Sequence, residues 1–244
     1  MNSLKKNKNS SRQYYEAVAH RTNIWTCAPG SPTYYQEMVR YERIIAELPE
    51  SGLAVDLGCG NGYLSYLMSK RGLTVISVDL SISRLQNLRT AIATEAPDQV
   101  QSDIHQTGLQ SAFADVIVCS EVIEHIQKYQ QVLQEAERIL KHDGIFIVTV
   151  PYKERLKKII CPHCHKYFYA DGHLHRFDRN NLATDLERSG LTILKQKRFR
   201  HRLLVHLQYH LKLRYGFVLR FLDQLFSAIH PEYTWYLLVK SKKK

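Results

Sequence analysis

The 244 residues predict a single α/β domain: a mostly parallel sheet with helices on both faces, an N-terminal extension and two insertions. Three observations predict it. From Leu53 onward, short apolar runs alternate with segments of helical period, the order that builds a doubly wound sheet. A turn with glycine at alternate positions, Gly58, Gly60 and Gly62, follows the first run and leads into a helix. The composition, 44% hydrophobic and 23% charged, excludes a disordered or fibrous chain.

Taken in order, Leu53–Leu57 reads as the first strand and 62–71 as the helix after the glycine turn. Residues 73–78 form the second strand. A helix over about 83–95 follows, with Ser81 as its N-cap. Residues 99–101 give a weak third strand and 114–119 a clear fourth. The helix 128–140 carries Val132, Leu133, Ala136, Ile139 and Leu140 at helical spacing. It stops near Asp143 and Gly144, and 145–150 is the fifth strand. The segment 152–177 is irregular and holds two cysteines and four histidines. A helix over 179–189 ends at Gly190, 191–199 alternates like a strand, 202–230 is apolar and basic, and 234–239 is the last strand. Residues 1–50 are therefore the extension, and 51–244 the domain, with insertions at 152–177 and 202–230.

Lys and Arg number 34 against 23 Asp and Glu, giving a net charge of +11. Residues 195–244 hold twelve of the basic residues and only two acids, Asp223 and Glu232. Such a segment predicts an anionic partner, either RNA or an anionic membrane surface, or else a solvated basic face. No stretch approaches the ~20 apolar positions of a membrane span. The polar start, with Lys5, Lys6, Lys8 and Arg12, lacks the apolar core of a signal peptide. Five cysteines, an odd number, do not resemble a disulfide framework. Together these predict a cytoplasmic, at most membrane-peripheral, protein.

The strongest motif is Val55-Asp56-Leu57-Gly58-Cys59-Gly60-Asn61-Gly62. Glycine lets the loop turn sharply and a ligand lie against bare backbone, and the helix start supplies N–H groups and positive potential. A nicotinamide fingerprint would need glycine where Tyr63 stands, and a Walker loop would need Gly-Lys-Ser/Thr. At these residues the chain resembles the class I S-adenosylmethionine-dependent methyltransferases. The resemblance implies their Rossmann-like seven-stranded sheet with a reversed last strand. It also implies that Gly58, Cys59, Gly60 and Gly62 wrap the methionine part of S-adenosylmethionine and that Asp56 orients it. Asp79 and Leu80, at the end of strand two, would meet the ribose. Asp103 and Ile104 would flank the adenine, with Ser120 beside the cofactor.

After strand four comes Ser120-Glu121-Val122-Ile123-Glu124-His125. If this segment is helical, Glu121, Glu124 and His125 share one face and can hold a divalent cation such as Mg²⁺ or act as a general base. The motif resembles one shared by ubiquinone-pathway O-methyltransferases and RNA 3′-terminal 2′-O-methyltransferases. The first implies a small quinone-, lipid- or sugar-type acceptor. The second implies an RNA acceptor held by the basic C-terminal segment, with His175 as a final metal ligand.

Cys161 and Cys164, followed by His173 and His175, present four soft or borderline donors that suit tetrahedral, structural zinc. His163 and His165 are rival ligands. In 202–230, Leu203, Leu207, Leu211, Tyr215, Val218, Leu222, Leu225 and Ile229 recur every three or four residues. That stripe predicts either a core-facing lid over the substrate cleft or a basic amphipathic helix on an anionic membrane. Gly216 breaks it in two. The expected reaction is methyl transfer to oxygen, with His125 as base, oriented by Glu121 or Glu124.

Overall fold

The apolar runs become strands β1 (Leu53–Leu57), β2 (Thr74–Asp79), β3 (Asp98–Gln101), β4 (Ala114–Ser120), β5 (Leu140–Pro151), β6 (Lys158–Ile160), β7 (Tyr167–Tyr169), β8 (Leu191–His201) and β9 (Thr234–Lys243). The structure is a computed structural model and describes residues 16, 24–27, 31–92, 96–165, 167–169, 171–211 and 216–244. The basic leader, Lys212, Arg214, Tyr215 and the end expected for the second helix, 93–95, lie outside the described residues. Seven strands form one sheet in the order β3-β2-β1-β4-β5-β9-β8. The strands β1 to β5 pair in parallel, and β9 is antiparallel to both neighbours. This is the seven-stranded sheet with a reversed last strand that the resemblance implies.

Helices α1 (Pro32–Ile45), α2 (Tyr63–Lys70), α3 (Ile82–Ile92), α4 (Tyr129–Ile139) and α5 (Arg179–Arg188) flank the sheet. Alternation along β4 shows why both faces are covered. Ile117 and Cys119 point into a core with Val132, Leu133 and Ala136 of α4, while Val116 and Val118 point into a second core with Ile44 of α1 and Met68 of α2. Each of the larger fully buried apolar side chains contributes about 1.5–3 kcal/mol. The Ser31 hydroxyl caps α1 by accepting from the Tyr34 N–H at 3.2 Å. Ser81 does the same for α3, accepting from the Arg84 N–H at 3.2 Å, as its sequence position predicts.

Three elements differ from the sequence reading. The fifth strand starts at Leu140, five residues early, because Leu140 pairs with Ala114 before the register shifts to Val116 and Ile145. The intervening Lys141, His142 and Asp143 are exposed, so no apolar period marks them. The segment 152–177 contains a hairpin, β6 paired with β7. The apolar-basic segment forms α6 (Arg202–Leu211) and α7 (Phe217–Ile229), separated as Gly216 predicts. Its stripe does not face inward on α7. Phe217, Val218, Phe221 and Ile229 are each more than half exposed, whereas Asp223 and Ser227 are buried. The reason lies at the end of β8, where Arg200 takes a left-handed φ of 69°. The N–H groups of Arg200 and His201 donate to Asp223 carboxylate oxygens at 3.1 and 2.6 Å. Burying Asp223 satisfies two backbone donors, and this turns the apolar residues outward.

Candidate functional site

The sheet order sets the carboxyl ends of β2, β1 and β4 side by side, which in an open α/β sheet is where ligands bind. All three loop glycines have left-handed φ: 74° at Gly58, 56° at Gly60 and 72° at Gly62. A Cβ on Gly58 would lie 2.7 Å from a Val122 methyl, and one on Gly62 only 2.3 Å from a Leu88 methyl. At Gly60 the nearest atom would be Arg84 Nη1, at 3.7 Å. Two glycines thus let the loop pack, while at the middle one a Cβ would make only ordinary contact and the left-handed φ is what favours glycine. The Asp79 carboxylate accepts from the Gly60 N–H and the Ser81 N–H, each at 2.9 Å, which fixes the loop against β2. Burial raises its pKa.

Asp56, at the heart of β1, accepts from the Ser65 hydroxyl at 2.6 Å. Burial chiefly, with Asp79 nearby, pushes its pKa up to about 7. Asp103 accepts from the backbone N–H of His105 at 3.0 Å, and its carboxylate sits 2.6 Å from the His105 ring nitrogen. Ile104 is buried. The Leu80 carbonyl accepts from Gln101 at 3.1 Å, and the Ser120 hydroxyl pairs with Thr149 at 2.9 Å. The Cys59 sulfur lies 3.6 Å from the Gly60 carbonyl, and burial raises its thiol.

Among the described residues of the extension, Glu16 and Trp25 reach this edge, and no motif in the sequence signals either. The Glu16 carboxylate accepts from the Ser81 hydroxyl at 2.9 Å and the Ile82 N–H at 2.8 Å, closing the start of α3. The Trp25 indole donates to the Asn61 carbonyl at 2.7 Å and packs on Tyr63 and Tyr66.

The segment after β4 is not the helix that would align Glu121 with Glu124 and His125. Glu121 has a left-handed φ of 55°, and only Ile123–His125 form a 3-10 turn. Glu124, His125 and His173 instead bring one ligand atom each within 4.8 Å of one another. The Mg²⁺ set Glu121, Glu124, His125 is corrected accordingly: His173 takes the third place. Its route there is the 2.7 Å hydrogen bond from the Leu174 N–H to the Glu124 carbonyl, which ties 172–175 to the turn.

The electrostatics are unusual. Both Glu124 oxygens and Oε1 of Glu121 are buried with no hydrogen-bond partner. Burial, then mutual repulsion, drives Glu124 well above the carboxylate range, and burial lifts Glu121 to about 7. The buried Arg40 guanidinium on α1, which pairs with Glu37 and lies 5.7 Å from the Tyr236 ring, offsets part of this rise at both glutamates. His125 Nδ1 faces the Gly172 carbonyl at 3.3 Å, which leaves Nε2, 4.0 Å from Glu124, as the lone-pair nitrogen. Burial, then His173, lowers His125 to about 4. His173 Nδ1 pairs with Glu154, the carboxylate–imidazole contact that orients metal-ligating histidines.

The four expected zinc ligands do not meet. His173 is turned to Glu154 and Glu124. His175 Nε2 donates to the Ile126 carbonyl at 2.9 Å and packs edge-on against Tyr129. Cys161 and Cys164 stay with His163 and His165 at the tip of the β6–β7 hairpin, where His165 makes the left-handed turn at φ 55°. Among the described residues, no three of Cys161, Cys164, His173 and His175 gather, because the hairpin holds its tip away from the returning segment 172–175. The four-ligand zinc site is therefore corrected.

Comparison with known proteins fits this geometry. The family described as methyltransferase domain matches residues 55–148, the stretch from the glycine loop through β5. A ubiquinone biosynthesis O-methyltransferase of Xanthomonas axonopodis pv. citri is 28% identical over 158 residues, covering 61% of this chain and 65% of the relative. The chain spans under two thirds of the length of curated relatives that it matches. Among solved structures, the 1,6-didemethyltoxoflavin-N1-methyltransferase of Burkholderia thailandensis, with bound S-adenosylhomocysteine, superposes with a TM-score of 0.62. It is 17% identical, over 96% of this chain and 87% of that one. The [4+2]-cyclase SpnF reaches the same TM-score at 17% identity, over 85% and 81%. Likeness at that level shows the fold alone, and a cyclase among the neighbours makes the point. The match assigns residues 55–148 to the methyltransferase-domain family, and the seven-stranded topology with the glycine loop on β1 is the fold of the class I S-adenosylmethionine-dependent methyltransferases.

Proposed function

We propose that this chain moves the methyl group of S-adenosylmethionine to an oxygen of a small molecule, beside a divalent cation held by Glu124, His125 and His173. One observation carries the cation. Three ligand atoms lie within 4.8 Å of one another while both Glu124 oxygens are buried and unpartnered. Uncompensated buried carboxylates cost several kcal/mol each, and a cation repays that cost. Two imidazoles and a carboxylate suit first-row ions such as Mn²⁺ or Fe²⁺ better than Mg²⁺, which prefers oxygen. The name of the Xanthomonas relative supports oxygen as acceptor.

In this reading residues 51–244 form the catalytic domain and the extension closes the cofactor edge. The donor lies on Gly58, Gly60 and Gly62, with Asp79 toward its ribose and Asp103 and Ile104 toward its base. The chain's main contribution is alignment of the acceptor oxygen behind the methyl carbon. As the new C–O bond forms the C–S bond breaks, S-adenosylhomocysteine leaves, and the hydroxyl proton must be taken up. A bound cation would supply the acidity that makes the hydroxyl give up that proton. An imidazole pressed to about 4 is a poor general base at neutral pH but is held in the neutral form a ligand needs. Glu121, whose Oε1 is also unpartnered, is the carboxylate left to receive the proton.

The RNA alternative is not favoured, because much of the C-terminal charge is already matched within the fold. Lys195, Lys197 and Lys240 converge on Glu47, Lys242 pairs with Asp143, Lys243 with Glu137 and Arg220 with Glu42. The same pairing weakens the expectation of an anionic membrane surface. Among the described residues, no helix is long and apolar enough to cross a membrane.

Calorimetry of the metal-free protein with Mn²⁺ tests the reading. One site is expected, lost in Glu124→Gln and in His173→Asn. EDTA should abolish transfer of labelled methyl groups to a phenolic metabolite pool, and Mn²⁺ should restore it. Undiminished transfer in EDTA by a protein that binds no Mn²⁺ would overturn the cation.

A further inference from the structure

At the carboxyl end of β8 lies a cavity of about 880 Å³ between α1, α6, α7 and β9, a size typical of small-molecule pockets. Most of its surface is apolar, contributed by Leu203, Val205 and Phe226. Set in the same wall are polar groups with nothing to bond. Both ring nitrogens of His201, Nε of Arg202 and the indole nitrogen of Trp235 are buried without a hydrogen-bond partner. His201 as a whole is 4% exposed. Buried polar atoms are ordinarily satisfied, so this concentration in one cavity wall needs an explanation that packing does not provide.

Charge says what the cavity would take. The cavity lining holds Arg202, whose guanidinium lies 4.9 Å from the Trp235 ring centroid, and His206 and His230, but no carboxylate. Burial keeps the His201 imidazole below its ordinary value, so Arg202 carries the permanent charge. Leu203 lines the cavity, and Leu207 and Leu211 repeat its position along α6 at helical spacing. All three are exposed, so an apolar track leads out of the opening. We propose that this cavity binds a free, single-chain anionic amphiphile, its head group beside the Arg202 guanidinium and its chain lying against Leu203, Val205 and Phe226.

The cavity is separate from the cation cluster, since none of Glu124, His125 and His173 lines it. Gln36 lines it and donates to the Tyr236 hydroxyl at 2.6 Å, and the Tyr236 ring neighbours Arg40. The proposal concerns binding alone and does not depend on methyl transfer. Dodecanoate, kept below its micellar range, should bind the full chain at one saturable site in calorimetry. Arg202→Gln should weaken it about tenfold, the loss of one charge-assisted hydrogen bond. Val205→Trp, which fills the cavity from a half-buried position, should abolish it. S-adenosylmethionine affinity measured on both variants reports that they remain folded. Dodecanol, the same chain without charge, should bind at least tenfold more weakly to the wild type. Equal binding of dodecanol and dodecanoate, or undiminished binding by a folded Val205→Trp, would overturn the site. Binding only to phosphatidylglycerol vesicles, with none to dodecanoate, would overturn it in favour of a membrane surface.

Discussion

Two pairs of glutamates are handled in opposite ways. Glu135 on α4 accepts from the Thr107 N–H at 2.7 Å, the Thr107 hydroxyl at 2.8 Å and the Arg138 guanidinium at 2.7 Å. Glu47, beyond α1, takes Lys195 and Lys197 at 2.7 and 2.9 Å. Burial would raise both, but these partners outweigh it, and both sit below the ordinary carboxylate value. Glu121, half-buried with a buried Oε1, and Glu124, fully buried, are raised instead, and Glu124 faces two imidazoles rather than lysines. A carboxylate recruited for stability has its hydrogen bonds made within the chain. One left unpaired beside histidines is a cost that folding alone does not offset, and this contrast is the ground for proposing the second pair as the functional one.

The sharpest way to break that contrast is turnover. His125→Asn should keep S-adenosylmethionine binding and lower methyl transfer about 10²–10⁴-fold. If His125 works as a ligand, His173→Asn should be as damaging, since both complete one donor set. A large loss confined to His125 would return it to the role of base, and near-normal turnover by both variants would make the cluster structural.

Stability should respond with opposite signs. Glu135→Gln removes the charge that Arg138 and Thr107 are built around and should cost about 2 kcal/mol, discounted because Arg138 is partly exposed. Glu124→Gln in metal-free protein removes a carboxyl that must either take up a proton on folding or stay buried as an uncompensated charge, and should gain about 1 kcal/mol, raising Tm by about 2–4 °C. Thermal melts of both variants in EDTA read this directly. Losses of equal size would mean that Glu124 has partners of its own.

What the sequence disclosed, and what it hid, follows from the range of the signal. The glycine loop, Asp56 and Asp79 were legible because their chemistry is local: a strand end, a turn and a helix start within a few residues. The parallel sheet was legible from alternating runs. His173 was not legible as a partner of Glu124, since only the hydrogen bond from Leu174 brings together residues about fifty positions apart. The same folding step undid the zinc reading. Cys161 and Cys164 stand close to His173 and His175 in sequence, yet the β6–β7 hairpin holds the cysteines at its tip and returns the histidines to the sheet edge. On α7 the apolar period was real, but periodicity does not say which face turns inward. The unmet N–H groups of Arg200 and His201 chose Asp223.

The smallest effect belongs to Glu47, and here pH sharpens the comparison. Its folded pKa is depressed by Lys195 and Lys197 below an unfolded value near 4.3. The native state therefore binds fewer protons than the unfolded one in that window. Its contribution is full above the unfolded value and is lost as pH falls through the folded one. The lysines are 43% and 41% exposed, so solvent screening holds the contribution to about 1 kcal/mol or less. Melts of wild type and Glu47→Gln should differ by about 1–3 °C at pH 7. The gap should stay level down to about pH 5, close below about pH 4, and narrow in 1 M NaCl, where the screening length falls to about 3 Å. A gap that survived at pH 3 would assign the effect to the packing of the side chain rather than to its charge. Glu47 would then no longer stand as the paired counterpart of Glu124.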